Sequence, residues 1–261
     1  MIIQSKLDET TTAKVVAQIR KEHEQESLKH TPSGKLSAGQ LGKPLLEQVL
    51  KIIGVPQKPV DDYALGLFRR GNSVEKEILG LLKPDKEQVA VQYRGCVGVV
   101  DAVIGGEVVE IKSVKNSQMN YLDPTNFTKQ RRNGTLERIY QGVKYAHALQ
   151  GGLYALSMDK PTFTIIYVSA DDLRTIPHTI ATSEVKDEID KIIDEVAKQI
   201  KTKTLPQWTP REDWQAKYPQ YSSYPDWIVL SADDAMLKLK NHHPDIYSRF
   251  TGTTGVQNAT Q

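Results

Sequence analysis

A single cysteine, Cys96, stands in the whole sequence. One thiol cannot close an internal disulfide, nor can it furnish a cysteine-built zinc or iron–sulfur site within one chain. Its place in the apolar run VQYRGCVGVV favours a small buried hydrophobe over a reactive thiol. Long apolar runs are missing as well. Nowhere do the roughly eighteen consecutive apolar residues of a membrane span occur, and the opening MIIQSKLDETTTAKVV has no run of signal-peptide length. The expectation is a soluble, intracellular (cytoplasmic) protein with no membrane partner. No charge sign dominates, since 34 Lys and Arg face 32 Asp and Glu for a net charge of +2, so a polyanion must be met by a local cluster. Internal repeats and a phosphate-cradling glycine loop are also absent. What remains is 261 residues, 39% hydrophobic, enough to bury a real core as one large domain or two small ones.

The rest of the chain is organised around residues 98 to 115, GVVDAVIGGEVVEIKSVK. Two apolar runs flank Gly105-Gly106, which supplies the positive φ angles of a tight turn, so the stretch predicts a β-hairpin. Side chains alternate along a strand, so Glu110 and Lys112 share one face and Ile111 points to the other. Asp101 can reach the charged face from the neighbouring strand. Two acids and a lysine on rigid backbone suit a hard divalent cation such as Mg²⁺ or Mn²⁺, which can make a bound water nucleophilic. The plain alternative is a solvated hairpin with a cross-strand Lys/Glu pair.

Before the hairpin, residues 8 to 29 predict a peripheral helix or arm. Ser37 can cap a helix running to Gly54, with Leu41, Leu45, Val49 and Ile52 inward. Asp61 to Leu82 predicts one long helix or two, with Leu67, Phe68, Val74, Ile78 and Leu81 as its apolar face and Gly71 as a possible break. Gln88 to Tyr93 begins a strand that leads into the hairpin, and three successive strands suggest antiparallel pairing. Beyond it, residues 112 to 150 carry Lys112, Lys115, Lys129, Arg131, Arg132, Arg138 and Lys144 against only Asp123 and Glu137. That local surplus suits a phosphate backbone, although it also fits a solvated basic loop. Leu136 to Met158 predicts a helix in which Gln150 and Tyr154, four apart, share a face. TFTIIYVS and DDLRTIPHTI predict two more strands, and Glu184 to Lys203 an amphipathic helix. The segment from Leu205 to Trp227 holds three Trp, three Tyr and four Pro, and predicts an ordered irregular segment on the surface. A polar, frayed tail is expected after about residue 241.

The order of a helix with Glu75, then Asp101, then Glu110-Ile111-Lys112, then a helix with Gln150 and Tyr154 resembles the PD-(D/E)XK nuclease superfamily, in its RecB-like branch. The matching stretches are GNSVEKEIL, GVVDAV, VEIKS and HALQGGLYAL, and the resemblance covers about Ser37 to Trp227. It implies an α/β (α+β) restriction-endonuclease-like core, a central mixed sheet flanked by helices. It divides the chain into an arm (1–34), the nuclease domain (35–228) and a C-terminal extension (229–261). It further implies a metal-dependent DNA nuclease, foremost an exonuclease on single-stranded ends or flaps. The alternatives are a structure-specific or restriction-type endonuclease, or a non-catalytic DNA-binding subunit that kept the fold. In this scheme Glu75, Asp101, Glu110 and the Ile111 carbonyl hold Mg²⁺ or Mn²⁺. Lys112 positions the attacking water, and Gln150 and Tyr154 orient water or DNA. Lys115, Lys129, Arg131, Arg132, Lys144 and His147 are the DNA-contacting candidates. A small stand-alone nuclease of this kind also fits a virus or mobile element.

The sequence departs from the similar exonucleases of CRISPR adaptation at two points. Lys, Ala and Pro stand where their iron–sulfur cysteines are expected, so no cluster is expected. Its stapling of the C-terminal segment must pass to Trp214, Tyr218, Tyr221, Tyr224 and Trp227. Glu75 occupies a position where many relatives have His, which favours Mg²⁺; Glu77 is the alternative in a shifted register.

Overall fold

The structure is a computed structural model that describes residues 13–14, 17–22, 34–123 and 142–253. Its centre is one five-stranded mixed sheet with the strands in sequence order. Strands β1 (Lys86–Tyr93), β2 (Cys96–Ile104) and β3 (Glu107–Val114) form an antiparallel meander. Its two tight turns, Arg94-Gly95 and Gly105-Gly106, have positive φ at both residues, and that twist matches the strands they join. After β3 the chain leaves the sheet, so β4 (Thr162–Ser169) returns parallel to β3, with Lys112 opposite Tyr167. Strand β5 (Thr175–Ala181) pairs antiparallel with β4.

Helices cover both faces. The sequence from Ser37 to Gly54 is not one helix, because Pro44 has no N–H to give and sits at a helix start. Ser37 bridges to Val97, a 3₁₀ turn follows (Ala38–Gln40), and α1 (Leu45–Ile53) ends at left-handed Gly54. Helix α2 (Asp62–Leu82) runs unbroken through Gly71 and buries Leu65, Val74, Ile78 and Leu79. Phe68 and Leu81, expected inside, are exposed, since apolar residues occupy more than one face of α2 and periodicity alone does not say which meets the sheet. A short α3 (Asn116–Leu122) follows β3. Helix α4 (Tyr145–Ser157) begins later than Leu136, after left-handed Gly142. Helix α5 (Ser183–Thr202) is amphipathic as expected and buries Val185, Ile189, Ile192, Ile193 and Val196 in the core it shares with α4.

The C-terminal segment closes a second core against α1, built from Leu46, Val49, Leu50, Leu205, Tyr224, Trp227, Ala235 and Leu239. Helices α6 (Asp213–Lys217), α7 (Ala232–His242) and α8 (Pro244–Thr251) lie here. The tail expected to fray after residue 241 therefore remains helical to Thr251, where Ile246, Tyr247 and Phe250 join this core. The aromatic staple differs from expectation as well. Tyr224 and Trp227 are buried, but Trp214, Tyr218 and Tyr221 are exposed. Polar groups complete the join: Glu47 Oε1 accepts from Trp208 Nε1 (3.1 Å) and Ser222 Oγ (2.9 Å). Gln215 Nε2 donates to the Gly42 carbonyl and Arg211 Nε to that of Lys43, each at 2.9 Å. Among the described residues no helix is long and apolar enough to cross a membrane.

Candidate active site

The β2–β3 ladder pairs Ile104 with Glu107, Val103 with Val108 and Ala102 with Val109, then stops. Asp101 and Glu110 would be the next pair. Instead Asp101 Oδ2 accepts the Ile111 N–H at 2.8 Å. The β1–β2 ladder is interrupted at the same level, where Gln88, left-handed at φ 50°, stands between the Glu87–Ala102 and Val89–Val100 pairs. Gly98 and Val100 meet the α4 side of the sheet, whereas Ala102 joins the core under α2. Strict alternation would keep all three on one face, so the slip falls on Asp101. A strand residue's N–H and C=O point to the same side, so the Ile111 carbonyl faces the gap that Asp101 opens.

Glu110 is fully buried and Asp101 nearly so, and the two carboxyls face each other. Lys112 Nζ lies 2.5 Å from Glu110 Oε1, yet neither Glu110 oxygen has a well-aligned hydrogen bond. Burial, with Asp101 adding to it and Lys112 opposing, pushes the Glu110 carboxyl up to about 8. Burial also raises Asp101, against the pull of Lys112 and the Ile111 N–H. Burial alone would lower the Lys112 ammonium, but Glu110, Asp101 and Glu75 together raise it. Burial thus favours a proton on the carboxyl pair, while the carboxylates favour the charged form of Lys112. An unsatisfied buried carboxylate is costly, and the donors here are hard oxygens facing a gap, which fits a hard divalent cation.

Glu75 approaches from α2. It is half-buried, and Gln88 Nε2 donates to its Oε1 at 3.0 Å, so the unusual backbone of Gln88 carries its amide to this carboxylate. Burial and then Asp101 raise the Glu75 carboxyl, while Lys112 and Gln88 oppose them. With Asn72, Gln88, Val99 and Asp101 it lines one groove. Glu77 is exposed on another face of α2. Among the described residues no three His, Cys, Asp or Glu side chains close into a ready cage. Such a cage is not required, because Mg²⁺ keeps several waters and needs only one or two carboxylates.

Helix α4 supplies the other wall. Gln150 Nε2 donates to Tyr154 Oη at 2.9 Å, and burial followed by the Glu110 charge raises the Tyr154 hydroxyl above its ordinary range. Gly98 makes room for that ring, since a Cβ there would lie 2.4 Å from it. His147 Nδ1 lies 3.0 Å from Tyr167 Oη, which also accepts the Lys144 N–H at 3.0 Å. Lys144 Nζ donates to Gln118 Oε1 at 3.3 Å, and burial lowers this ammonium against the charge of Glu212. Lys115 Nζ donates to Tyr63 Oη at 2.6 Å, away from the carboxyl pair. Lys129, Arg131 and Arg132 lie outside the described residues. Asp101, Glu110 and Lys112 thus stand together, with Glu75 at one edge and Gln150, Tyr154 and His147 along the α4 wall. Sequence reasoning missed Gln88 and Tyr167. A left-handed glutamine leaves no local signal, and Tyr167 enters only through the long-range β3–β4 register.

No protein-family model matches this sequence, and no curated protein matches it. Among solved structures, the chain is similar to an alkaline exonuclease (LHK-Exo) from Laribacter hongkongensis at 13% identity, over 73% of this chain and 96% of that one, with a TM-score of 0.44. It is similar to the protein SSO0001 at 16% identity, over 85% and 96% of the two chains, with a TM-score of 0.48. A third is a phage-related exonuclease from Haemophilus somnus 129PT, at 15% identity over 63% and 92%, with a TM-score of 0.41. What the site can do rests on its own residues.

Proposed function

We propose that this chain is a divalent-metal-dependent deoxyribonuclease that hydrolyses phosphodiesters at single-stranded DNA ends. The observation that carries this reading is Glu110, a wholly buried carboxyl that faces Asp101 across a broken ladder with Lys112 beside it. As a purely structural feature that arrangement is unfavourable, and a bound cation reverses its sign. Asp101, Glu110, the Ile111 carbonyl and Glu75 would hold the cation. A cation held there supplies charge to a phosphate oxygen and lowers the pKa of water.

This chain's own side chains do the rest. The Ile111 N–H fixes the Asp101 carboxylate, so its second oxygen is aimed without rotamer freedom. Lys112, whose positive charge Glu110, Asp101 and Glu75 favour, holds the attacking water and offsets charge gathering on the phosphoryl oxygens. The Tyr154 hydroxyl already accepts from Gln150, so its own proton is free to orient a water beside Glu110. Preference for free ends follows the sequence resemblance. The test is digestion of end-labelled single-stranded, duplex and circular DNA with Mg²⁺, Mn²⁺ or EDTA. Metal-dependent loss of linear single strands with circles intact is expected. Cutting of circles would move the assignment to an endonuclease, and no cleavage of any substrate would overturn it.

A further inference from the structure

Tyr167 is wholly buried, and its Oη has two hydrogen-bond partners among the described residues. The Lys144 backbone N–H can only donate, so the tyrosine oxygen accepts it at 3.0 Å. Were His147 Nδ1, also at 3.0 Å, a second donor, the buried hydroxyl proton would have no acceptor among the described residues, so Nδ1 takes that proton. A ring that accepts at Nδ1 and is neutral carries its proton on Nε2. The groups facing this ring are Lys112 of β3, Lys144 at the start of α4 and Tyr167 of β4, which meets His178 edge-on at 5.8 Å. Burial and the two ammonium groups hold His147 well below the usual imidazole range. His147 lies three residues before Gln150 and seven before Tyr154, so all three share one face of α4. Lys112 is in register with Tyr167 on β4, so the two side chains rise from the same face of the sheet towards that wall. The His147 ring is half-buried, and Nε2 bonds to no other described residue.

We propose that His147 donates a neutral hydrogen bond from Nε2–H to a phosphate oxygen of the DNA strand beside Lys112, with Tyr167 as the positioning residue that sets its tautomer. This rests on the nuclease reading for its ligand, though not for its geometry. A neutral donor suits the place, because it grips a phosphate without adding a cation to compete with divalent ions for the carboxylates.

The test has two arms. Besides His178, whose Nε2 must donate to the Leu122 carbonyl at 2.8 Å, one further of the six histidines is expected to show the Nε2–H pattern unchanged from pH 6 to 8 in ¹⁵N-histidine-labelled wild-type protein without metal or DNA. His147→Gln assigns that signal, and Tyr167→Phe, which keeps the ring and removes the hydroxyl, should make the two tautomers interconvert. An Nδ1–H or titrating imidazole, or an unchanged pattern in Tyr167→Phe, would overturn the assignment. In the second arm, affinity for a short oligothymidylate is measured with Ca²⁺ in place of Mg²⁺. His147→Leu should weaken binding about tenfold, the loss of one hydrogen bond to a charged group. His147→Gln, whose amide can take the Nε2 position, should stay within about threefold of wild type. Equal losses in the two variants, or no loss in either, would refute the phosphate contact. If wild-type protein cleaves DNA and the tautomer is wrong, this inference fails alone. If it cleaves nothing while the tautomer holds, the nuclease reading fails.

Discussion

Two buried glutamates in this molecule have opposite surroundings. Glu47, on α1 under the C-terminal segment, receives an indole N–H and a hydroxyl on one oxygen. Glu110, on β3, has no well-aligned donor among the described residues and faces another carboxyl. Both are at least nine-tenths buried, so burial does not separate them. Satisfaction does. A carboxylate matched with donors ties two segments together, whereas one left unmatched beside Asp101 keeps its lone pairs for something that arrives later.

The strongest way to break this contrast is to remove the charges at the unmatched end. Asp101→Asn, Glu110→Gln and Lys112→Ala are each expected to lower kcat at least a thousandfold on single-stranded DNA. The two carboxylate variants should also lose calorimetric Mg²⁺ binding, while Lys112→Ala retains it. Glu110→Gln should leave the melting temperature unchanged or raise it, because it replaces a poorly solvated acid with an uncharged isostere. Wild-type turnover in any of the three would remove this site from the mechanism. At the matched end, Glu47→Ala should leave turnover within a few-fold but cost about 1–3 kcal/mol in denaturant unfolding, since it leaves two half-buried donors without their acceptor. A cost below about 1 kcal/mol would mean that apolar packing alone holds the C-terminal segment.

The sequence made one of these regions far easier to read than the other. The hairpin is local: Gly105-Gly106 sets the turn, and alternation places Glu110 and Lys112 together. Strands β4 and β5 and helix α5 were legible for the same reason. The Glu47 clasp was not, because Glu47 sits inside the apolar run LLEQVL, and its partners, Trp208 and Ser222, lie more than 150 residues away. Counting aromatics in the C-terminal segment suggested stacking, whereas Gln215 and Arg211 bonding to backbone carbonyls did much of the joining. Even at the hairpin, alternation failed at Asp101, where the ladders open and Gln88 turns left-handed. Pattern rules fail where the strand is distorted to aim a side chain, which is also where a site is expected.

A smaller effect, in the pH dependence of stability, tests the unmatched glutamate without any DNA. Glu110 has its folded-state pKa raised from 4.5 to about 8. The folded protein therefore binds a proton that the unfolded chain releases, so this contribution is complete below about pH 4.5 and is lost as pH rises through about 8. Asp101 and Glu75 shift in the same direction and reinforce the trend. Metal-free protein should accordingly melt lower at pH 8 than at pH 6. A divalent cation competes with that proton, so saturating Mg²⁺ should raise the melting temperature more at pH 8 than at pH 6. A difference on the order of 5 °C corresponds to one or two kcal/mol in a chain of this size. Glu110→Gln should flatten the metal-free profile and reduce the Mg²⁺ increment. If Mg²⁺ stabilises equally at both pH values, or the Glu110→Gln profile stays as steep as wild type, the proton on the carboxyl pair is not what the cation displaces.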